Sequence, residues 1–382
     1  MMSVIAAFLS ELRRIFTLKP AVSVLIMGPL IYALFYPQPY RGEALRDVPI
    51  SVVDLDGTET SRDFIRRIDA SSDVAVVSRL PDFYGGERQV MLRQVFGVLV
   101  IPKYFERDLL HGRAAPIAVY ADASYFLIYQ RISQAVSAVA KIVGADVETS
   151  RLIAAGIDPA IASAASDPLP LTAVPLFNPQ GGYATYLLPA AFALILQQTL
   201  LIGVGLLGTI GGVSRPPERD GAVASIIGKL FAYLALELGL VVPFYLIVLP
   251  HLYGIPRLGD VSTIYAFAVP FVLSVAAMGM LIAQLFRHPL VVQLVMAAVG
   301  MPFLFLSGFS WPPEAIPQFL RAIAVVVPST SAITGIVAVS QLGATLTDVR
   351  SSYLTLWALT GIYVGLAIVL RLKNSRTKSE GS

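Results

Sequence analysis

Asp54 and Asp56 stand two apart in the run VVDLDGT, residues 52–58. One class of Mg²⁺-dependent phosphatase uses this spacing to set a nucleophilic carboxylate beside an acid/base carboxylate. That chemistry also needs a downstream lysine and a further acidic pair to hold the metal. Lys103 and Lys141 are available, but no adjacent Asp-Asp follows in this part of the chain. The same letters spell a strand ending in an Asp-Asp-Gly turn. Short motifs match often by chance, so the turn is the expected reading. Gly203, Gly205 and Gly208 spell G-x-G-x-x-G, but late in an apolar run with no strand before them. A dinucleotide site is therefore not expected. Small residues there, including the pair Gly208 and Gly212, would instead let helices approach closely. Gly228-Lys229 is followed by Leu230 and lacks the upstream glycine, so no P-loop for ATP is present. The chain has no cysteine and three scattered histidines, His111, His251 and His288. Thiolate chemistry and disulfides are excluded, and a His-rich metal site is not expected. No catalytic, cofactor-binding or metal-ligating residue is assigned, and no enzymatic activity is expected.

Glu237 interrupts an apolar run, where a carboxylate costs on the order of 2–3 kcal/mol to insert. It reads as a site on a substrate or proton path, or as a structural carboxyl group, charged or protonated, hydrogen-bonded to a neighbouring helix. A single acid with no visible cationic partner is thin ground for a path, so the second reading is preferred. Gln197, Gln198, Gln284 and Gln293 also stand in apolar runs. Their amides should face protein or a cavity rather than lipid.

The elements that carry these residues are long apolar runs between about 182 and 372. The chain is 56% hydrophobic and 14% charged, against roughly 25% charged in soluble domains. Each of five runs is near or above the ~20 residues that cross ~30 Å of hydrocarbon as a helix. Pro189, Pro243, Pro270 and Pro302 interrupt them, as suits a bundle that changes shape, although static bundles carry such prolines as often. A sixth span runs from Pro20 to about 39, with Lys19 snorkelling and a kink expected at Gly28-Pro29. Its exit, ALFYPQPY, lacks a small-x-small cleavage pattern, so it is expected to stay as a membrane helix. Residues 1–19 read as an amphipathic helix at the cytoplasmic surface or as a basic flank of that span. Val4, Ile5, Phe8, Leu12, Ile15 and Phe16 recur at helical spacing, with Glu11, Arg13 and Arg14 elsewhere on the wheel.

From 40 to 181 the apolar runs stop and charges become frequent. Strands are expected at VPISVV, DVAVVS, FGVLVIP and PIAVYAD. Helices are expected from Thr58 to Ile68, Gly86 to Gln94, Pro102 to Leu110, and Tyr125 to about Ala155 with an interruption near Gly144. This alternation implies an α/β domain with a partly parallel sheet. After span five, residues 309–343 read as two short helices tucked into the outer leaflet, with Trp311 at the interface. The expected class is a membrane all-α bundle of six helices with an α/β extracytoplasmic domain between the first and second spans.

Lys and Arg place the sides. Arg13, Arg14 and Lys19 precede the first span. Arg215, Arg219 and Lys229 lie on the link after the second, Arg287 and His288 after the fourth, and Arg371, Lys373, Arg376 and Lys378 after the last. Both ends and the tail 373–382 are therefore expected in the cytoplasm, and the domain 40–181 outside.

These features resemble the permease subunits of ABC-2-type transporters, in particular the multidrug-efflux-like subgroup with one large outer domain. The resemblance is carried by ELRRIFTLKPAVSVLIMGPL, by VVDLDGTETSR and VLVIPKYFERDLLHGRAAPIAVYADAS in the outer domain, by the five later spans, and by LSGFSWPPEAIPQFLRAIAVVVPSTSAITGIVAVSQLGA. It implies export of hydrophobic or amphipathic molecules across a bacterial inner membrane. A separate ABC ATPase subunit would supply the power. A second permease, identical or different, and in some members a periplasmic adaptor would complete the assembly, with no nucleic acid as partner. By analogy the ATPase would dock on Arg13 and Arg14 and on the link from Gly211 to Ala224, where Arg215, Glu218, Arg219 and Asp220 could pair with it. The other reading is a membrane-anchored receptor or assembly platform that acts through the outer domain without transport.

Overall fold

The computed structural model describes residues 3–42, 45–178, 181–210, 219–286, 288–309, 311 and 313–379; at 219–220, 244, 246–250, 313 and 374–379 it describes the backbone only. The chain divides into two compact units, 44–174 and a helical unit made of 1–43 and 175–382. The helical unit opens with α1 (Val4–Thr17), whose first turn is capped by the Ser3 side chain. A continuous helix from Lys19 to Tyr40 follows, made of α2 (Lys19–Val22), a π-helical turn at Ser23–Met27 and α3 (Gly28–Phe35). Where a kink is expected at Gly28-Pro29, the helix instead widens. Pro29 has no N–H to give, and the turn before it bonds through Gly28 N–H to Ser23 O.

The second unit runs β1 (Val48–Asp54), α4 (Glu59–Asp69), β2 (Val74–Leu80), α5 (Phe83–Met91), β3 (Gly97–Ile101), α6 (Phe105–Leu110), β4 (Ala118–Ala121), α7 (Phe126–Ala154) and α8 (Pro159–Ser166). The sheet order is β2-β1-β3-β4, with β1 parallel to β2 and β3, and β4 antiparallel at one edge. β1 is central, and Ile50, Val52 and Val53 are buried there. Phe64, Ile65 and Ile68 of α4 and Ile132, Ala135 and Val136 of α7 close the same core. The interruption expected at Gly144 does not occur: α7 is continuous through it. A Cβ at Gly144 would meet nothing within 4 Å, so no packing requires the glycine, and it weakens the helix without breaking it. α5 starts at Phe83 rather than Gly86, because Asp82 caps Gly85 N–H. α8 has no counterpart among the elements expected from the sequence.

The helical unit resumes with α9 (Tyr183–Thr209), α10 (Arg219–Leu236), a π-helical turn at Glu237–Val241, α11 (Val242–Tyr253), α12 (Val261–Phe286), α13 (Pro289–Leu306), α14 (Gln318–Ala324), α15 (Pro328–Gln341) and α16 (Arg350–Ser379). Among the described residues six helices are long and apolar enough to cross a membrane, and α14 with α15, bent by 80°, would make a seventh if that pair were one span. α9 and α12 are the most enclosed spans, 72% and 67% buried, against 17% for α13. α9 thus forms the middle of the bundle. Its glycines admit three neighbours: a Cβ on Gly203 would overlap the Leu25 side chain, on Gly205 it would stand 2.5 Å from Met296 Sδ, and on Gly208 2.7 Å from Ala283 Cβ. The G-x-G-x-x-G run is thus a set of helix crossings. Gly212 lies outside the described residues.

Gly205→Leu should destabilise the purified chain by about 1–3 kcal/mol through overpacking. Gly361→Ala, on an exposed helix face with nothing within 4 Å, should be neutral or slightly stabilising. Thermal unfolding in detergent distinguishes the two. Equal melting temperatures would contradict the crossing assignment.

Candidate functional site

α1 packs on α10 through a face that the apolar pattern did not pick out. Ala7, Glu11 and Ile15 are its buried residues, while Ile5, Leu9 and Phe16 are exposed. Gly228 makes the close approach: a Cβ there would stand 2.5 Å from both Ala7 Cβ and Val4 O. Glu11, 1% exposed, is held by three partners. Tyr233 donates its hydroxyl at 2.6 Å, Arg14 donates Nη1 at 2.9 Å, and Lys229 Nζ lies at 3.5 Å. Arg371 of α16 is within electrostatic reach. Arg14 Nη2 also donates to Leu207 O at 2.7 Å and Ile210 O at 2.9 Å. Those carbonyls lie in the last turn and at the C-cap of α9, so Arg14 caps α9 from another helix. The expectation that Glu11 sits on the polar side of α1 is corrected here. A buried carboxylate is tolerated because counter-charges and a hydroxyl replace its water. The visible signal was the i, i+4 spacing of Lys229 and Tyr233, which puts both on one face of α10.

The sequence-predicted docking residues divide. Arg13 is exposed on α1, and Arg14 is half-buried and engaged as described. Arg215 and Glu218 lie outside the described residues. Arg219 and Asp220 are the first residues of α10, described in backbone only.

The intramembrane polar residues also divide. Gln197 is buried on α9, donates Nε2 to Ser329 Oγ at 3.0 Å and accepts Ser329 N–H at 2.7 Å. It thereby fills the first turn of α15, where Pro328 and Val327 offer no cap. Gln198 donates to Met296 O on α13 at 2.5 Å. Gln284 and Gln293 are half-buried on α12 and α13. Glu237 is 1% exposed, and neither carboxylate oxygen has a hydrogen-bond partner among the described residues. Among the described residues the expected hydrogen bond from a neighbouring helix to Glu237 is not found. Close by in sequence, Val242 and Tyr245 line a cavity of about 100 Å³, together with Phe192, Leu196, Phe271 and Arg257.

In the other unit Asp54 and Asp56 are occupied as turn groups. Asp54 accepts the N–H groups of Asp56 and Gly57 and the Ser61 hydroxyl. Asp56 accepts the Thr58 hydroxyl and the N–H groups of Phe105 and Glu106, the first two of α6. Tyr104, at the cap position with φ 67°, cannot serve them. Desolvation pushes the Asp56 carboxyl up, but the donors together outweigh it and hold it below its usual value. Among the described residues no group of three His, Asp or Glu could hold a metal ion.

Two predictions come from this geometry. Glu11→Ala should cost about 1.5–3 kcal/mol by leaving charged partners unmatched, and Tyr233→Phe about 1 kcal/mol. Thermal unfolding in detergent reads both, and a reversed order would contradict the cluster. Asp56→Ala should lose about 1 kcal/mol of cap energy at α6. Because the folded carboxyl is the stronger acid, its contribution is full above the unfolded value of 3.8 and fades as pH falls through the lower folded value. Peptide-level hydrogen exchange over residues 103–110 should show faster exchange in the variant at neutral pH.

The family model described as ABC-2 family transporter protein matches residues 21–369. The chain is 22% identical over 369 residues to the linearmycin resistance permease protein LnrN of Bacillus subtilis (strain 168), covering 89% of this chain and 91% of that protein. It is 25% identical over 164 residues to the probable multidrug ABC transporter permease YbhS of Escherichia coli (strain K12), covering 40% of this chain. That match spans 42% of YbhS, less than half its length.

Proposed function

Because the chain belongs to the ABC-2 family of transporter proteins, we propose that it is the membrane-spanning permease of an ATP-driven exporter for hydrophobic or amphipathic molecules. It is a multi-pass membrane protein. The observation that carries the reading is the pairing of six membrane-length helices among the described residues with a sequence that has no P-loop. Such a chain offers a path and no P-loop for nucleotide, so in this reading a separate ATPase supplies the power. In this reading both ends and the link from Gly211 to Ala224 lie in the cytoplasm. The unit 44–174 lies outside, where a periplasmic adaptor could meet it. The ATPase docks on Arg13 and on Arg215, Glu218, Arg219 and Asp220. Arg14 plays a different part. It fixes α1 to the end of α9 from which that link leaves, so a push on the link is felt by α1, α9 and α10 together. A second permease, identical or different, completes the pathway. The names of LnrN and YbhS, a resistance permease and a multidrug permease, support export.

The absence of cysteine makes single-cysteine labelling direct. A membrane-impermeant maleimide should label Tyr84→Cys from outside and Ser214→Cys only after permeabilisation. Labelling of both from one side would contradict the topology. Tagged chain purified from its native membranes should bring ATP hydrolysis with it. Arg215→Glu with Arg219→Glu should reduce that activity about tenfold or more, since like charges across an interface cost several kcal/mol. Unchanged activity would contradict the docking segment.

A further inference from the structure

We propose that the helical unit holds a binding site for a single-chain amphiphile with one negative charge, its chain in the cavity between α9, α11, α12 and α15 and its head group on Arg257 and Gln341. The site stands on the cavity itself. That its ligand is cargo rests on the exporter reading, whose substrate class it names.

The cavity walls are apolar, with Phe192 and Leu196 of α9, Tyr245 of α11, Phe271 of α12 and Ile336 of α15 among them. Two of the hydroxyls that line it are spent. Tyr245 donates to Pro29 O at 3.3 Å, and Ser340 donates to Ile336 O at 2.6 Å. Gln341 is different. It is only 9% exposed, it lines the cavity, and its amide has no hydrogen-bond partner among the described residues. Buried amides are as a rule paired, so a free one facing a cavity is accounted for by a ligand. Arg257 lines the same cavity and is exposed, with no ion pair or hydrogen bond among the described residues. Asp260, the nearest acid in the sequence, is committed to the start of α12, where it accepts the N–H groups of Ser262 and Thr263 and the Ser262 hydroxyl. Among the described residues no Asp or Glu lines the cavity.

The backbone brings the two polar groups together. α11 stops at Gly254, φ 67°, and the chain then turns onto the end of α15. Leu258 and Gly259 both donate their N–H groups to Ser340 O, at 3.0 and 3.1 Å. A Cβ on Gly259 would overlap Val339 O, so the close approach requires glycine. Arg257 precedes Leu258, and Gln341 follows Ser340. One tether therefore sets the guanidinium and the amide beside the same cavity. The guanidinium forks onto a carboxylate, sulfate or phosphate, and the amide NH₂ adds a further donor. The cavity volume of about 100 Å³ takes the end of one chain, and a two-chain lipid fits it poorly. One cation matches one negative charge.

The test uses the full chain in nanodiscs of phosphatidylcholine, which has no net charge, with no ATPase and no nucleotide. The probe is decyl sulfate with a diazirine at its chain end, and cross-linked peptides are read by mass spectrometry. Wild type should be labelled saturably within residues 189–196 or 264–272. Plain decyl sulfate should compete, and decyltrimethylammonium should not. Arg257→Gln should raise the half-saturating concentration about tenfold or more, the scale of a charged contact, and Arg257→Lys should recover part of the loss. Arg257 is exposed, so neither variant threatens the fold. Ile336→Trp, which fills the cavity, should abolish labelling in protein that melts as wild type does. Equal half-saturation in wild type and Arg257→Gln would overturn the proposal and leave a packing void only. Competition by the ammonium as strong as by the sulfate would overturn it too. Replacing part of the lipid by phosphatidylglycerol, at equal probe content of the bilayer, should leave half-saturation unchanged. Displacement would assign the cavity to a membrane lipid and overturn the single-chain class. Failure here removes the site and leaves the exporter reading, which is tested separately by labelling and co-purification.

Discussion

Hydrocarbon offers no water to a polar group, and every unsatisfied N–H or C=O there costs several kcal/mol. That constraint explains the helical unit. Its backbone is helical across each span, and where helices are broken the loose ends are met from other elements. Gln197 meets the first turn of α15, and Arg14 meets the last carbonyls of α9. Hydroxyls add further links between helices: Thr360 donates to Pro270 O, and Tyr245 donates to Pro29 O. Tyr363 likewise donates to Val326 O in the break between α14 and α15. The polar residues of the membrane half are thus mostly mortar between helices. Against that background the lack of hydrogen bonds at Glu237 stands out.

The sequence showed the spans because hydropathy is a sum over about twenty residues and tolerates local error. It also showed the four strands, since alternation and buried runs are local patterns. It did not show which face of α1 packs. The apolar stripe of α1 suggests one answer, but Glu11 is buried by partners on α10, such as Tyr233, 222 residues further on. No window on the sequence holds that pair. The π-helical turn in place of the expected kink, and the continuity of α7 through Gly144, were settled by packing in the same way. Asp54 and Asp56 were legible as a turn, while the capping of α6 by Asp56 depends on where β3 and α6 come to lie.

The candidate site was legible only as residue types. Glu237 and the four glutamines could be picked out as misfits among apolar neighbours. Which are paired and which are not is a three-dimensional property. Gln197 and Glu237 look alike in the sequence, yet one joins two helices and the other has no hydrogen-bond partner among the described residues. The ionic cluster around Glu11 gains its meaning from its neighbour in the chain. It fixes α1 to the helix ends next to the proposed docking link, so in the exporter reading force applied there reaches three helices as one body.

The central claim is that this chain provides the path while a separate protein provides the power. Transport in inverted membrane vesicles tests it most directly, with a panel of fluorescent amphipathic dyes as tracers and either ATP or a proton gradient as the only energy source. The expected result is uptake that requires ATP hydrolysis and persists when the gradient is collapsed. Concentrative uptake by proteoliposomes of the pure chain, driven by a gradient with no nucleotide-hydrolysing protein present, would contradict it.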